Sequence, residues 1–324
     1  MTTSTSLAFL FPGQGVQGPG MLAGFEDLPQ FQHRCSVVGE LLGRPVHDVI
    51  NNFTADDLIR NREASLLTVL VSSLALDAFV AKEQCRAAFV AGYSVGQWAA
   101  MYAAEMLDFE TLVRIVARRA EAMDRCATTE PGGMLSVIGV ASDRLELWLE
   151  QLRSEGHQIF LSNHNSAAHY TIAGRIRSIE VATVRIDELH PRKVSRVAVS
   201  GAWHCPLMEG AKAVFEEMLE GESLGAPRIP VVDNVTGDWL PSDPGRLRRQ
   251  LGLHLTNPVL WNTGVRKIVD AGCKRFVELG FGTMLTQFGF FIDRASTFSP
   301  FHRTTLHHSI AASSSCPEIF KCAE

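Results

Sequence analysis

Apolar positions along this chain fall into two textures. Leu7 to Phe11 is a run of apolar residues closed by "PGQG", which predicts a short strand buried on both faces. Ala64 to Ala81 is longer and almost wholly apolar, interrupted by Thr68, Ser72, Ser73 and Asp77. Its length and scattered polar groups predict a buried helix rather than a membrane span. Ala87 to Ala91 is a second strand-like run, and a helical pattern begins at Val95. Strands alternating with helices predict a parallel sheet, because parallel neighbours need a crossover between them.

After Pro131-Gly132-Gly133 the texture changes. "MLSVIGV" predicts a strand, and "SDRLELWLEQLRSEG" a helix with Ser142 as its N-cap. "IFLSN" and "HYTIAG" predict two short strands, "SIEVATVRIDEL" a helix and "KVSRVAVS" a strand. This β-α-β-β-α-β order is that of the ferredoxin-like unit. The chain thus divides into a main α/β domain, residues 1–131 and 199–324, and an inserted small domain, residues 132–198. The first texture returns with "RIPVVDNVTG", a strand, and "RFVELGFGTML", a strand, a glycine turn and a helix. Beyond about Phe298 the chain is polar and serine-rich, which predicts a poorly ordered tail.

Composition narrows the function. Of 324 residues, 46% are hydrophobic and 20% charged, proportions that supply a sizeable core. The net charge of −5 gives no global attraction to nucleic acid or to a membrane surface. Seven cysteines without C-x-x-C pairing read as reduced thiols of a cytoplasmic protein. "MTTSTSLAFLF" lacks a basic n-region and reads as a first strand rather than a signal peptide.

Two glycine patterns carry candidate chemistry. Gly13, Gly15 and Gly18 spell G-x-G-x-x-G after a strand, the pattern of a dinucleotide phosphate loop. Pro19 and Gly20 break the helix that such a loop must open. Gly92-Tyr93-Ser94-Val95-Gly96 is a G-x-S-x-G between a strand and a helix. Its glycines permit the sharp turn that thrusts Ser94 out as a nucleophile, and the Val95 N–H sits where it can stabilise an oxyanion. A serine that only caps the helix is the plainer alternative.

A serine nucleophile needs a base, and there are eleven histidines. His33 and His47 lie in or beside an early helix, and His157, His164, His169 and His190 fall in the inserted unit. His302, His307 and His308 sit in the tail, the last two adjacent and so pointing apart, a poor metal pair. His204, in "VAVSGAWHCPLM", stands where the chain re-enters the main domain, facing the cleft.

"FPGQG", "GYSVG", "DFETLVRIVARRAEAM", "NSAAHYTIAG", "HCPLM", "NPVLW" and "VELGFGTML", in this order, resemble the malonyl-CoA:acyl-carrier-protein transacylase family over about residues 7–290. The resemblance implies a hydrolase-like core bearing a ferredoxin-like lid. It implies Ser94 as nucleophile and His204 as base, held by the His254 backbone carbonyl. The N–H groups of Gln14 and Val95 form the oxyanion hole, so the first glycine turn is not a phosphate loop. Arg119 matches the arginine that grips the malonyl carboxylate, with Arg118 as the competing assignment. Asn163 and Asn165 match polar lid positions, and Trp203 a position beside the substrate's α-carbon. No metal and no bound cofactor are implied; the substrates are malonyl-CoA and the phosphopantetheine-type thiol of a carrier protein. A basic patch of Arg175, Arg177, Arg192, Lys193 and Arg196 is the candidate carrier dock.

The chain also departs from the usual pattern. Tyr93 stands where histidine is usual, Gln97 where glutamate is usual, and Phe281 where proline is usual. Tyr93, Trp98 and "GPGMLAGFEDLP" look most like the epsilon (transacylase) subunit of bacterial malonate decarboxylase, which loads a small carrier subunit. The alternatives are the fatty-acid-synthesis transacylase and an acyl-thioester hydrolase.

Overall fold

The computed structural model describes residues 6–301, except Val16, Phe53 and residues 55–58. His302, His307, His308, Cys316 and Cys322 lie outside the described residues. In chain order the elements begin with β1 (Leu7–Phe11), α1 (Phe31–Leu42), α2 (Val46–Asn51), α3 (Asn61–Glu83) and β2 (Phe89–Gly92). Next come α4 (Gly96–Ala103), α5 (Phe109–Thr129), β3 (Gly132–Ile138), α6 (Ser142–Ser154), β4 (Ile159–Ser166) and β5 (His169–Arg175). Then follow α7 (Ile176–Arg185), β6 (Lys193–Arg196), α8 (Glu209–Glu220), α9 (Pro244–Leu253), α10 (Trp261–Asp270), β7 (Arg275–Leu279), α11 (Met284–Ile292) and β8 (Thr297–Phe301).

The main sheet is parallel, in the order β2-β1-β7-β8. Its central strand β1 is buried at every position because both faces are covered. Leu7, Phe9 and Phe11 face the core shared with α3, α4 and α5. Ala8 and Leu10, on the other face, meet Trp261, Val265 and Ile268 of α10 and Leu285 of α11. Helix α3 is long and apolar enough to cross a membrane, yet 78% of its most apolar window is buried inside the protein. Two of its polar groups are satisfied within the helix: Thr68 Oγ1 donates to the Ala64 carbonyl and Ser73 Oγ to that of Leu70.

The second sheet is antiparallel, in the order β4-β5-β3-β6. Leu145, Trp148, Leu149 and Leu152 of α6 and Ile179 and Ala182 of α7 cover one face, against Leu135, Val137 and Ile172. The opposite face carries Met134, Ser136 and Thr171 toward the main domain. Strand β4 changes register at two points, between Leu161 and Asn163 and between His164 and Ser166. The first bulge changes which face its side chains present. Leu161 pairs with Ile172 of the core face, whereas Asn163 pairs with Thr171 of the cavity face.

Three local expectations are corrected. Ser142 is the first residue of α6 and not its cap; Ala141 holds that position without a side-chain bond. "RIPVVDNVTG" is no strand: only isolated bridges, Val90 with Val231 and Val232 with Trp239, form there. Phe298 is not the start of the tail but part of β8, which extends the parallel sheet beside β7. Of the candidate basic patch, Arg175 pairs with Glu130 and Gln158, while Arg177 on α7 and Arg192, Lys193 and Arg196 at or beside the edge strand β6 are exposed. The described cysteines, Cys35, Cys85, Cys126, Cys205 and Cys273, are free thiols.

Candidate active site

The site starts from a turn that only glycine permits. Between β2 and α4 the chain reverses at Ser94, whose φ is 53°, in the left-handed region. A Cβ on Gly92 would meet the Gly96 carbonyl oxygen at 1.9 Å, and one on Gly96 would meet that of Phe11 at 2.3 Å. The turn is held from below by Asn234. The Ser94 N–H donates to Asn234 Oδ1 at 2.8 Å, and Asn234 Nδ2 donates to the Gly92 carbonyl at 2.7 Å. The Asn234 N–H in turn donates to Gln97 Oε1 at 2.8 Å. Gln97 is fully buried, so its amide is committed to bracing the turn.

Ser94 Oγ lies 2.7 Å from His204 Nε2. His204 Nδ1 lies 2.8 Å from the backbone carbonyl of His254, an acceptor, so Nδ1 carries the proton and donates. Nε2 is then the free lone pair that receives the serine proton. Burial first, and the Arg119 charge second, lower the His204 pKa to about 3, so the imidazole is neutral at pH 7. His254 contributes through its carbonyl. Its ring stacks behind that of His204, with centroids 5.0 Å apart, and lines none of the cavity, which corrects its assignment as a substrate-binding side chain.

Two backbone donors of the glycine turns are without acceptors among the described residues: none takes the N–H of Val95 or of Gln14. The Gln14 side chain is turned away, donating to Asn61 Oδ1 at 2.6 Å and Ser65 Oγ at 2.5 Å on α3, which anchors the first glycine turn. That turn leads into further turns, and α1 starts only at Phe31, so no helix N-terminus stands behind the glycines to hold a phosphate.

Ser94 and His204 open into a cavity of about 290 Å³ between the main domain and the small sheet. This is near the lower end for ligand pockets, roughly 300–1,000 Å³, and suits an acyl group with the end of its carrier arm. Arg119, on α5, lines it and is fully buried. Among the described residues none of its three guanidinium nitrogens has a partner, and burial lowers its pKa to about 10. Arg118, the competing assignment, is exposed and lines no part of this cavity. Trp203, 5% exposed, lines the wall beside His204, its ring folded over Gly201. Asn163 and Asn165 line the small-sheet wall.

Several lining residues carried no role in the sequence reading. His169 lies 2.9 Å from Ser136 Oγ and packs its ring edge-on to Phe288, and burial lowers its pKa to about 4. Met284 and Phe288 bring α11 to the cavity. Glu278 fixes that helix, accepting the N–H groups of Leu285 and Thr286 at 3.0 and 2.8 Å. Asn234, in a segment taken for a strand, gave only one signal: an amide beside Asp233 among Val231, Val232 and Val235.

The acyl transferase domain family matches residues 8–290. The chain is 33% identical over 281 residues to the polyketide biosynthesis protein ThaF of Burkholderia thailandensis, which covers 86% of this chain and 23% of that larger protein. It is 28% identical over 284 residues to the malonyl CoA-acyl carrier protein transacylase of Bacillus subtilis, covering 87% of this chain and 89% of that one. The crystal structure of an acyl-carrier-protein S-malonyltransferase from Burkholderia pseudomallei superposes with a TM-score of 0.85 at 27% identity, covering 91% of this chain and 95% of the other. A serine on a glycine elbow, an imidazole against it and an α/β scaffold shared along nearly the whole length agree with that match: the chain belongs to the acyl transferase domain family.

Proposed function

We propose that this protein transfers a malonyl group from malonyl-CoA to the thiol of a carrier protein, through a malonyl ester on Ser94. The observation that carries the malonyl assignment is Arg119, a fully buried guanidinium without partners in the same small cavity as Ser94 and His204. A planar guanidinium with its donors unfilled fits a carboxylate through paired, charge-assisted hydrogen bonds. An acyl group lacking that carboxylate would leave the charge buried and unpaired.

The steps follow from the geometry. His204 Nε2 takes the Ser94 proton as Oγ adds to the thioester carbonyl. The oxyanion is met by the N–H groups of Gln14 and Val95. The carbon–sulfur bond breaks, and the imidazolium returns its proton to the departing thiolate of CoA. The carrier thiol then enters, loses its proton to His204 and adds to the ester carbonyl; the bond to Ser94 Oγ breaks, and Oγ takes the proton back from His204. His204 is neutral at the start of each half, as a base that must also serve as acid requires. Among carriers, Tyr93 and Trp98 favour the small subunit of a malonate decarboxylase over the carrier of fatty-acid synthesis.

Intact-mass measurement after mixing with malonyl-CoA tests the first half. The wild type gains one malonyl group and Ser94→Ala none; an adduct that persists in the variant refutes the nucleophile. Chasing the wild-type adduct with each carrier in turn tests the acceptor, and faster transfer to the fatty-acid-synthesis carrier reverses that assignment.

A further inference from the structure

The residue before the nucleophile joins structures that the transfer reaction needs held together. The Tyr93 hydroxyl donates to Asn165 Oδ1 at 2.7 Å, reaching from the elbow to the second register shift of β4. Asn165 Nδ2 passes the bond on to Thr171 Oγ1 of β5 at 3.3 Å. No other side-chain hydrogen bond among the described residues joins the small sheet to the elbow. The phenol ring is wedged edge-on to Trp261 of α10, with centroids 5.6 Å apart, and tilted against Phe288 of α11 at 5.8 Å. It also lies over the first glycine turn, where a Cβ on Gly13 would come within 2.9 Å of Tyr93 Cδ1. One side chain thus touches the turn bearing Gln14, the wall built by α11 and the small sheet. Asn165 is 2% exposed, so its carbonyl oxygen has no ready substitute partner if the phenol is removed.

We propose that Tyr93 is a positioning residue that latches the small sheet onto the nucleophile elbow, and that this latch keeps water from the acylated serine. The second part rests on the acyl-transfer function proposed above. Hydrolysis is the exit that competes with transfer. Water adds to the ester carbonyl carbon, the bond from that carbon to Ser94 Oγ breaks, the proton from water reaches Oγ by way of His204, and malonate leaves. A carrier thiol arrives on an arm that threads the cleft, whereas water enters wherever the walls part. A hydrogen bond contributes about 1 kcal/mol net, so its loss raises the open population about fivefold.

The test prepares the malonyl-enzyme from wild type, Tyr93→Phe, Asn165→Ala and the double variant. Each is chased with pantetheine, and free malonate and malonyl-pantetheine are counted. The ratio of malonate to thioester rises about fivefold in Tyr93→Phe, by a similar factor in Asn165→Ala, and no further in the double variant. A ratio unchanged in Tyr93→Phe, or factors that multiply in the double variant, overturns the latch. Hydrogen exchange of peptides spanning residues 159–166 supplies a readout that needs no substrate. Exchange is faster in Tyr93→Phe than in wild type, and equal exchange overturns the latch. Absence of any malonyl adduct on the wild type would instead sink the proposed function, leaving the exchange comparison to decide the latch by itself.

Discussion

Replacing Arg119 by methionine sets stability against activity. In most enzymes, deleting a buried charged side chain breaks a pair and destabilises the fold. In this protein the guanidinium has no partner to lose. The lowering of its pKa to about 10 by burial corresponds to roughly 3 kcal/mol of desolvation. Apolar replacement of buried charges stabilises by about 1–4 kcal/mol where the volume is kept, so Arg119→Met raises the urea midpoint in a buffer of low anion content. The same substitution removes the charged hydrogen bonds proposed for the malonyl carboxylate, each worth about 1.5–3 kcal/mol. Two such bonds, each a net value, are worth at least about 3 kcal/mol, or roughly a hundredfold in the rate of Ser94 acylation by malonyl-CoA. Acylation by acetyl-CoA, which makes neither bond, changes by less than about threefold, so the preference between the two collapses. The assays are urea unfolding and quenched-flow acylation with each thioester. A less stable variant that keeps its malonyl preference would refute both halves, and would mean that Arg119 supports the fold rather than the substrate.

The pH dependence follows from His204, whose pKa burial lowers from the ordinary histidine range to about 3. The base stays unprotonated through mildly acidic pH, so the acylation rate at pH 5 remains close to that at pH 7; an acid limb centred near 6.5 would show that the ring is hydrated. Stability responds in the opposite sense. As pH falls below about 6.5 the unfolded chain binds a proton that the folded chain refuses, so this group's contribution declines from there until about pH 3. Asn234→Ala removes the acceptor for the Ser94 N–H and the donor to the Gly92 carbonyl, and keeps only the backbone N–H that reaches Gln97. It lowers acylation by about a hundredfold and stability by about 2–3 kcal/mol, read from burst kinetics and urea midpoints; wild-type values would show that the glycines alone hold the elbow.

The elbow was legible in the sequence because a glycine on each side of a serine, where strand gives way to helix, is a local pattern. Gly92 is required by the Gly96 carbonyl four residues on, whereas Gly96 is required by the Phe11 carbonyl of the neighbouring strand. Strand β1 and helix α3 were legible because a wholly apolar run and a long, predominantly apolar one report burial on most sides. His204 and Arg119 were singled out by position in a resemblance, and the structure brings both to one cavity with Ser94. Asn234 was not legible, since its use depends on a chain segment 140 residues away from Ser94. His254 was half legible: its carbonyl was anticipated, but nothing in the sequence says that the ring stacks behind His204 instead of lining the cavity.

The sequence by itself determined the periodicities, hence the helices, the strands and the two textures of the chain. It determined the glycine turns, because a missing Cβ is a property of single residues. Tertiary structure decided which faces became the site. In β4, Leu161 and Asn163 share a face in any regular strand, and period-two reasoning must place them together. The bulge between them turns one to the small-domain core and the other to the cavity. A bulge arises from pairing with β5 on one side and from the main domain on the other, where the Val259 N–H donates to the Ser162 carbonyl and the His164 N–H to that of Val259. The same holds for Arg119. Its neighbours on α5 alternate between solvent and core as any amphipathic helix does, and the packing of that helix against α3 and α8 is what buries its charge. Burial of a charge is a property of everything packed around it, and no stretch of sequence contains that information.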